Sequence, residues 1–295
     1  MERSDVGTWV RKGKSRGQIS LDSCSIMKPR SLSLSIICAM LIGCSTEKPA
    51  EEPKTIAETP ASAAAPVRQY SFSVVETYPH DVNAFTQGLV VNNGAFLEST
   101  GQYGFSSLRR VAIRTGKVSR LEKIDARYFA EGMTVLKGRI YVLTYLNQKG
   151  FIYDEASLQK IDEFSYFGEG WGLTTDGTHL YMSNGSNTIS VHDPEGYRTL
   201  RTIGVTMDGN PVANLNELEW IKGEIWANVW QTEKILRIDP STGRVTGVVD
   251  MSGLLPASKR TATTDVLNGI AWDANNDHLY VTGKNWPSVF RIEIR

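Results

Sequence analysis

Apolar and polar residues alternate in short runs along the C-terminal part of the chain, the pattern of strands that turn one face inward. Long amphipathic helical stretches are missing. One phrase recurs: an apolar residue, a variable polar or aromatic residue, Gly, an apolar residue, a short turn and a second apolar strand. It stands as Phe85-Thr86-Gln87-Gly88-Leu89, Phe129-Ala130-Glu131-Gly132-Met133, Gly170-Trp171-Gly172-Leu173, Leu215-Asn216-Glu217-Leu218 and Leu267-Asn268-Gly269-Ile270. The glycine-equivalent positions 88, 132, 172, 217 and 269 are separated by 44, 40, 45 and 52 residues. Each phrase leads into a dipeptide suited to a tight hairpin: Asn93-Gly94, Lys137-Gly138, Asp176-Gly177, Lys222-Gly223 and Asn276-Asp277. Gly and Asn tolerate the positive φ that such turns need.

About four short strands fit each interval, the size of one propeller blade. The fold class expected is therefore all-β, a five-bladed β-propeller. The last repeat has room for only three strands after Leu267, while residues 70–75 form a lone alternating strand before the first repeat. That N-terminal strand is expected to complete the last blade, closing the ring and removing its open edges. A β-sandwich is the competing architecture, and the repeat length favours the propeller.

The 295 residues carry no net formal charge and are 41% apolar. That is enough to bury a full core, and without a basic cluster there is no face for nucleic acid. All three cysteines, Cys24, Cys38 and Cys44, precede the repeats. The repeats thus hold no disulfide and no thiolate metal site.

Residues 1–26 are polar and patternless, and are expected either to follow from a start codon placed too early or to be disordered. Lys28 and Arg30 precede an apolar run over residues 31–42, too short to span a bilayer comfortably. The run ends in Leu41-Ile42-Gly43-Cys44, which resembles the lipobox of bacterial lipoproteins. On that resemblance, residues 27–43 are a signal peptide and Cys44 is the lipidated first residue of an exported protein on the periplasmic side of the cell envelope. Residues 44–68, rich in Pro, Ala, Glu and Thr, read as a disordered tether, and residues 69–295 as the propeller domain.

In a propeller the first strand of each blade lines the central channel, so equivalent repeat positions form a ring. Here the ring is Gln87, Glu131, Trp171, Asn216 and Asn268. A second ring, at the ends of the second strands, is Thr100, Tyr145, Asn184, Trp230 and Lys284. One acid, one amine, several amides and aromatic walls describe a pocket for a small polar group with an apolar stem. Desolvation there would raise the Glu131 pKa into the range of general acid–base work. The bland reading, also open, is that Glu131 and Lys284 form an ion pair that plugs the channel. Glu169 is expected at the rim, and Glu217 and Glu219 flank Asn216 within reach of the mouth. The histidines show no metal-ligand spacing, and a structural cation at a channel end stays open.

Seven phrases in order resemble the plant-type glutaminyl cyclases and their bacterial relatives. They are His80-Asp81 with Ala84-Phe85-Thr86-Gln87-Gly88-Leu89, Phe129-Ala130-Glu131-Gly132-Met133-Thr134, Gly150-Phe151-Ile152-Tyr153-Asp154, and Gly168-Glu169-Gly170-Trp171-Gly172-Leu173-Thr174. Asn216-Glu217-Leu218-Glu219, Trp226-Ala227-Asn228-Val229-Trp230-Gln231 and Thr282-Gly283-Lys284 complete the series. The resemblance implies a five-bladed propeller that converts the N-terminal glutamine of peptides or proteins into pyroglutamate, releasing ammonia without a cofactor. It implies that Glu131 is the acid–base carboxylate. Gln87, Asn216 and Lys284 would hold the substrate's polar groups, Lys284 as a second catalytic residue, and Phe85, Phe129, Trp171 and Trp230 would wall the pocket. Tyr145 departs from the tryptophan common in relatives but keeps an aromatic wall. The only membrane contact expected is the N-terminal lipid, and a monomer is expected because closed propellers have little need of partners. Two other classes stay open: a metal-dependent lactonase using Glu131, Asn216 and Asn268 as ligands, and a non-catalytic envelope scaffold.

Overall fold

A computed structural model of the protein describes residues 66–295. The readings of residues 1–26 and 27–43, of Cys44 and of nearly all of the tether lie outside the described residues. Five four-stranded antiparallel units follow one another along the chain. Blade 1 comprises Thr86–Asn92, Ala95–Thr100, Ser107–Val111 and Val118–Lys123, and blade 2 Ala130–Leu136, Arg139–Thr144, Lys149–Asp154 and Lys160–Ser165. Blade 3 comprises Leu173–Thr175, Leu180–Ser183, Thr188–His192 and Thr199–Gly204, and blade 4 Leu215–Ile221, Glu224–Val229, Lys234–Ile238 and Val245–Asp250. Blade 5 contributes Leu267–Asp273, His278–Gly283 and Ser288–Ile294 in sequence. Its outermost strand is Phe72–Pro79, antiparallel to Ser288–Ile294 with Phe72 opposite Ile294 and Pro79 opposite Ser288. The closing strand thus lies slightly later than residues 70–75. Just before it, Arg68–Tyr70 adds a fifth, parallel strand to the outside of blade 4, a pairing the repeat does not announce.

The innermost strands neighbour one another in cyclic order, blade 5 meeting blade 1. The core is accordingly divided among the interfaces. Leu97 and Leu108 of blade 1 pack with Met133, Ile140 and Val142 of blade 2, and comparable clusters fill the other four junctions. Each fully buried aliphatic side chain contributes about 1.5–3 kcal/mol, so every blade depends on both neighbours.

Three hairpins form as expected. Asn93-Gly94, Lys137-Gly138 and Lys222-Gly223 have positive φ at both residues and join directly paired strand ends, the geometry of a type I′ turn. The other two are longer than the two-residue turns expected. Thr175 pairs with Leu180 and Asp273 with His278, leaving four residues in each loop. Asp176 closes the first by accepting the N–H groups of Thr178 and His179 at 2.7 and 2.6 Å. In the second, Asp273 accepts the N–H of Asn275 at 3.1 Å.

Candidate active site

The inner strands do not run regularly at the channel mouth. Their pairing to the second strand slips between Thr86 and Gly88, Ala130 and Met133, Leu215 and Leu218, and Leu267 and Ile270. These bulges hold Gln87, Glu131, Asn216 and Asn268. A bulge releases a residue from the ladder and re-aims its side chain, which is how a strand otherwise committed to packing presents polar groups to the channel. The backbones are held by neighbouring blades. The Glu131 carbonyl accepts the Ser99 hydroxyl at 2.6 Å, the Asn216 carbonyl that of Ser183 at 2.6 Å, and the Trp171 carbonyl the N–H of Gly132 at 2.6 Å. The blades approach so closely here that a Cβ on Gly172 would lie 2.0 Å from the Asn216 carbonyl oxygen.

A cavity of about 400 Å³ opens at this mouth, within the size range of small-ligand sites. It brings together all nine residues expected to act on substrate: Phe85, Gln87, Phe129, Glu131, Tyr145, Trp171, Asn216, Trp230 and Lys284. Phe129 centres one wall, with the rings of Phe85, Tyr103 and Tyr145 at 6.0, 5.5 and 6.0 Å. Trp171 and Trp230, edge to face at 5.6 Å, form the other.

Glu131 is 5% exposed, and among the described residues no donor is hydrogen-bonded to its carboxylate. Burial pushes it well above its ordinary 4.5, the Lys284 charge pulling down and Glu169 pushing up. Burial likewise lowers the Lys284 ammonium from 10.5, while Glu131 and then Asp265 hold it up. Among the described residues the Lys284 side chain makes no ion pair or hydrogen bond; its Nζ sits 4.8 Å from the centre of the Phe85 ring. Glu131 and Lys284 therefore influence each other across the cavity without plugging it.

Several residues fall elsewhere than expected. The second-ring position in blade 1 is Gly101, not Thr100. The N–H of Gly101 bonds to the Phe85 carbonyl as that of Tyr145 bonds to Phe129, whereas the Thr100 hydroxyl is spent on Ser107 within the blade. Gly101 leaves the room that Phe129 occupies, since a Cβ there would meet the ring at 2.2 Å. Asn184 does not line the cavity: its side chain accepts the N–H and hydroxyl of Ser186 in a local turn. Asn268 is fully buried outside the cavity and donates to the Thr86 carbonyl at 2.9 Å and to Gln87 Oε1 at 3.4 Å. It fastens blade 5 to blade 1 and orients Gln87. Glu169 is at the rim and accepts the indole N–H of Trp171 at 2.9 Å. Glu217 and Glu219 turn away from the mouth, their carboxylates accepting backbone N–H groups of blades 1 and 5.

A sequence profile described as glutamine cyclotransferase matches residues 40–294. The chain belongs to the glutamine cyclotransferase family. An Arabidopsis thaliana relative named glutaminyl-peptide cyclotransferase is 45% identical over 228 residues, covering 75% of this chain and 71% of that protein. The crystal structure of Myxococcus xanthus glutaminyl cyclase matches with a TM-score of 0.74 at 36% identity, over 78% of this chain and 98% of that one. Both agree with the resemblance carried by the seven phrases.

Within this glutamine cyclotransferase the cavity also contains Tyr103, Gln231, Asp265 and Val266, to which no role was assigned from sequence. Gln231 directly follows Trp230, and its positive φ of 63° shows a backbone turned sharply at the rim. Tyr103, Asp265 and Val266 lie in connecting loops of different lengths, where an offset within the repeat has no meaning.

Proposed function

We propose that the cavity cyclises the N-terminal glutamine of peptides and proteins to pyroglutamate, with Glu131 as the proton shuttle. The observation that carries this reading is a single buried carboxylate, free of hydrogen-bond partners among the described residues, inside an aromatic-walled cavity of small-ligand size. The α-amine nitrogen of the substrate attacks its own γ-carboxamide carbon, forming the ring C–N bond. Collapse of the tetrahedral intermediate breaks the bond to the amide nitrogen, which leaves as ammonia. Glu131 takes the proton shed by the amine and returns it to the departing nitrogen, ending in the state in which it began. An α-amine has a pKa of roughly 7.7–8.0, so a neutral fraction is present at neutral pH without further activation.

Nucleophile and electrophile share one molecule, so the main task of the protein is orientation. The two aromatic walls fold the side chain back on itself. Gln87, Asn216 and Lys284 supply donors toward the cavity, and Lys284 is suited to the oxyanion because among the described residues its ammonium has no hydrogen-bond or ion-pair partner to give up. The lactonase alternative draws no support from the donors here. Asn268 is spent on blade closure, and among the described residues no group of three or more His, Cys, Asp or Glu side chains converges.

Export and anchoring through Cys44 belong to the same proposal, supported by the Leu41-Ile42-Gly43-Cys44 sequence behind a short apolar run. Incubation of the chain with a Gln-initiated dipeptide, with ammonia monitored, tests the reaction, and absence of release overturns it. Incorporation of labelled palmitate that is lost in Cys44→Ser tests the anchor.

A further inference from the structure

Cyclisation in the cavity leaves the rest of the substrate, the chain following its N-terminal glutamine, outside. The loops at the channel mouth carry five exposed large apolar side chains: Val82, Tyr103, Phe105, Leu146 and Phe167. Phe105 is 79% and Phe167 91% exposed. Elsewhere, the neighbours Val74 and Val75 and the isolated Leu121, Ile161 and Leu200 are exposed on outermost strands, where scattered apolar residues are ordinary. Those at the mouth are one-sided. All five belong to loops that lead into, connect or leave blades 1 and 2. The loops around the rest of the mouth carry no exposed large apolar residue among the described residues. The opposite lip is polar: Thr232, Glu233, Arg260 and Thr264 line an adjoining hollow, with Arg260 and Glu233 paired at 2.9 Å.

The apolar crescent is continuous with the cavity. Tyr103 is half exposed, lines the cavity and contacts Phe129 at 5.5 Å, while Leu146 follows Tyr145 of the same wall. In the ring-forming conformer the amine and side chain of the glutamine both turn inward, leaving its carbonyl as the link outward. An extended chain advances about 3.3 Å per residue, so its second and third residues fall on the rim itself.

We propose that this crescent is a subsite for the residues following the N-terminal glutamine, selecting peptides with apolar or aromatic side chains at the second and third positions. The proposal rests on the cyclisation reading above. A bilayer is the less suited occupant, because lipid-facing apolar rims are flanked by basic residues. Here Arg127 is tied to Asp125 at 2.8 Å and Lys149 to Glu163 at 2.7 Å.

The test compares the full chain with its Phe105→Ser/Phe167→Ser double variant on Gln-Leu-Phe-amide, Gln-Asp-Ser-amide and glutaminamide. The parent is expected to favour the apolar tripeptide over the polar one by about tenfold in kcat/KM. In the double variant that ratio falls toward unity, with glutaminamide turnover as the check that the cavity is formed. Equal kcat/KM for the two tripeptides in the parent, or a preference that survives the double substitution, overturns the subsite and leaves the cyclisation reading standing. Co-sedimentation with phosphatidylcholine vesicles that drops in the variant while the peptide ratio holds assigns the rim to lipid and overturns it too. Failure to turn over any of the three substrates overturns the cyclisation reading itself.

Discussion

Glu131 and Glu217 occupy bulged stretches of two inner strands and are nearly sealed from water, at 5% and 1% exposed. Burial pushes both carboxyls well above 4.5. Their partners differ. Glu217 spans the channel to accept the N–H of Leu89 at 3.3 Å and of Ile270 at 2.9 Å, tying blade 4 to blades 1 and 5. Glu131 accepts none among the described residues, and it lines the cavity. Burial alone marks neither residue as reactive; a buried carboxylate left unbonded is available to a substrate, and a bonded one is a fastener.

Substituting glutamine at each position separates the two roles. Glu131→Gln is expected to lower kcat by about 10²–10⁴-fold on a Gln-peptide with the fold retained, and near-normal turnover would break the comparison. Next in size is Lys284→Ala, expected to cost about 10²–10³-fold in kcat as an oxyanion donor is lost; an unchanged rate would make the lysine a spectator. Glu217→Gln instead acts on stability. Its amide nitrogen must face one of two backbone donors, and leaving a buried donor unsatisfied costs about 1–3 kcal/mol, readable as a lower denaturation midpoint.

Stability against pH sharpens the contrast further. A carboxyl raised in the folded state keeps its proton where the unfolded chain has lost it. Its contribution is therefore fully present below about 4.5 and is lost as pH rises toward the folded value. Glu131→Gln removes that loss and is expected to raise the midpoint at neutral pH, whereas at Glu217, whose carboxyl is raised likewise, the same gain is set against a backbone donor left unsatisfied. The smallest effect is on the pH profile. The acidic limb of kcat/KM should lie above the usual carboxylate range, move down in Glu169→Gln and up in Lys284→Met, following the two charges that act on Glu131. A limb indifferent to both would show that another group governs it.

The blade count and inner ring were legible because each repeat keeps the channel residue directly before its glycine-equivalent position, so Gln87, Glu131, Trp171 and Asn216 could be aligned by counting. The second ring slipped at Thr100 because Gly101 has no side chain to announce it; its contribution is the room it yields to Phe129. Polarity misled at Asn268 and Asn184, where amides serve backbone closure and a turn. Tyr103, Asp265 and Val266 were out of reach because loops keep no period. The added strand Arg68–Tyr70 has no counterpart in the repeat, since parallel pairing at an outer edge depends on where the chain arrives in space.

The outer strand of blade 5 is made long before its partner. Phe72–Pro79 waits unpaired through the synthesis of four whole blades until Ser288–Ile294 emerges. Joining such distant segments carries a large loop-closure entropy, the signature of slow folding. The ring is thus a clasp that snaps only once Ser288–Ile294 is in place. Removing Ser288–Ile294 would leave two unmatched edges, a form open to pairing with other chains.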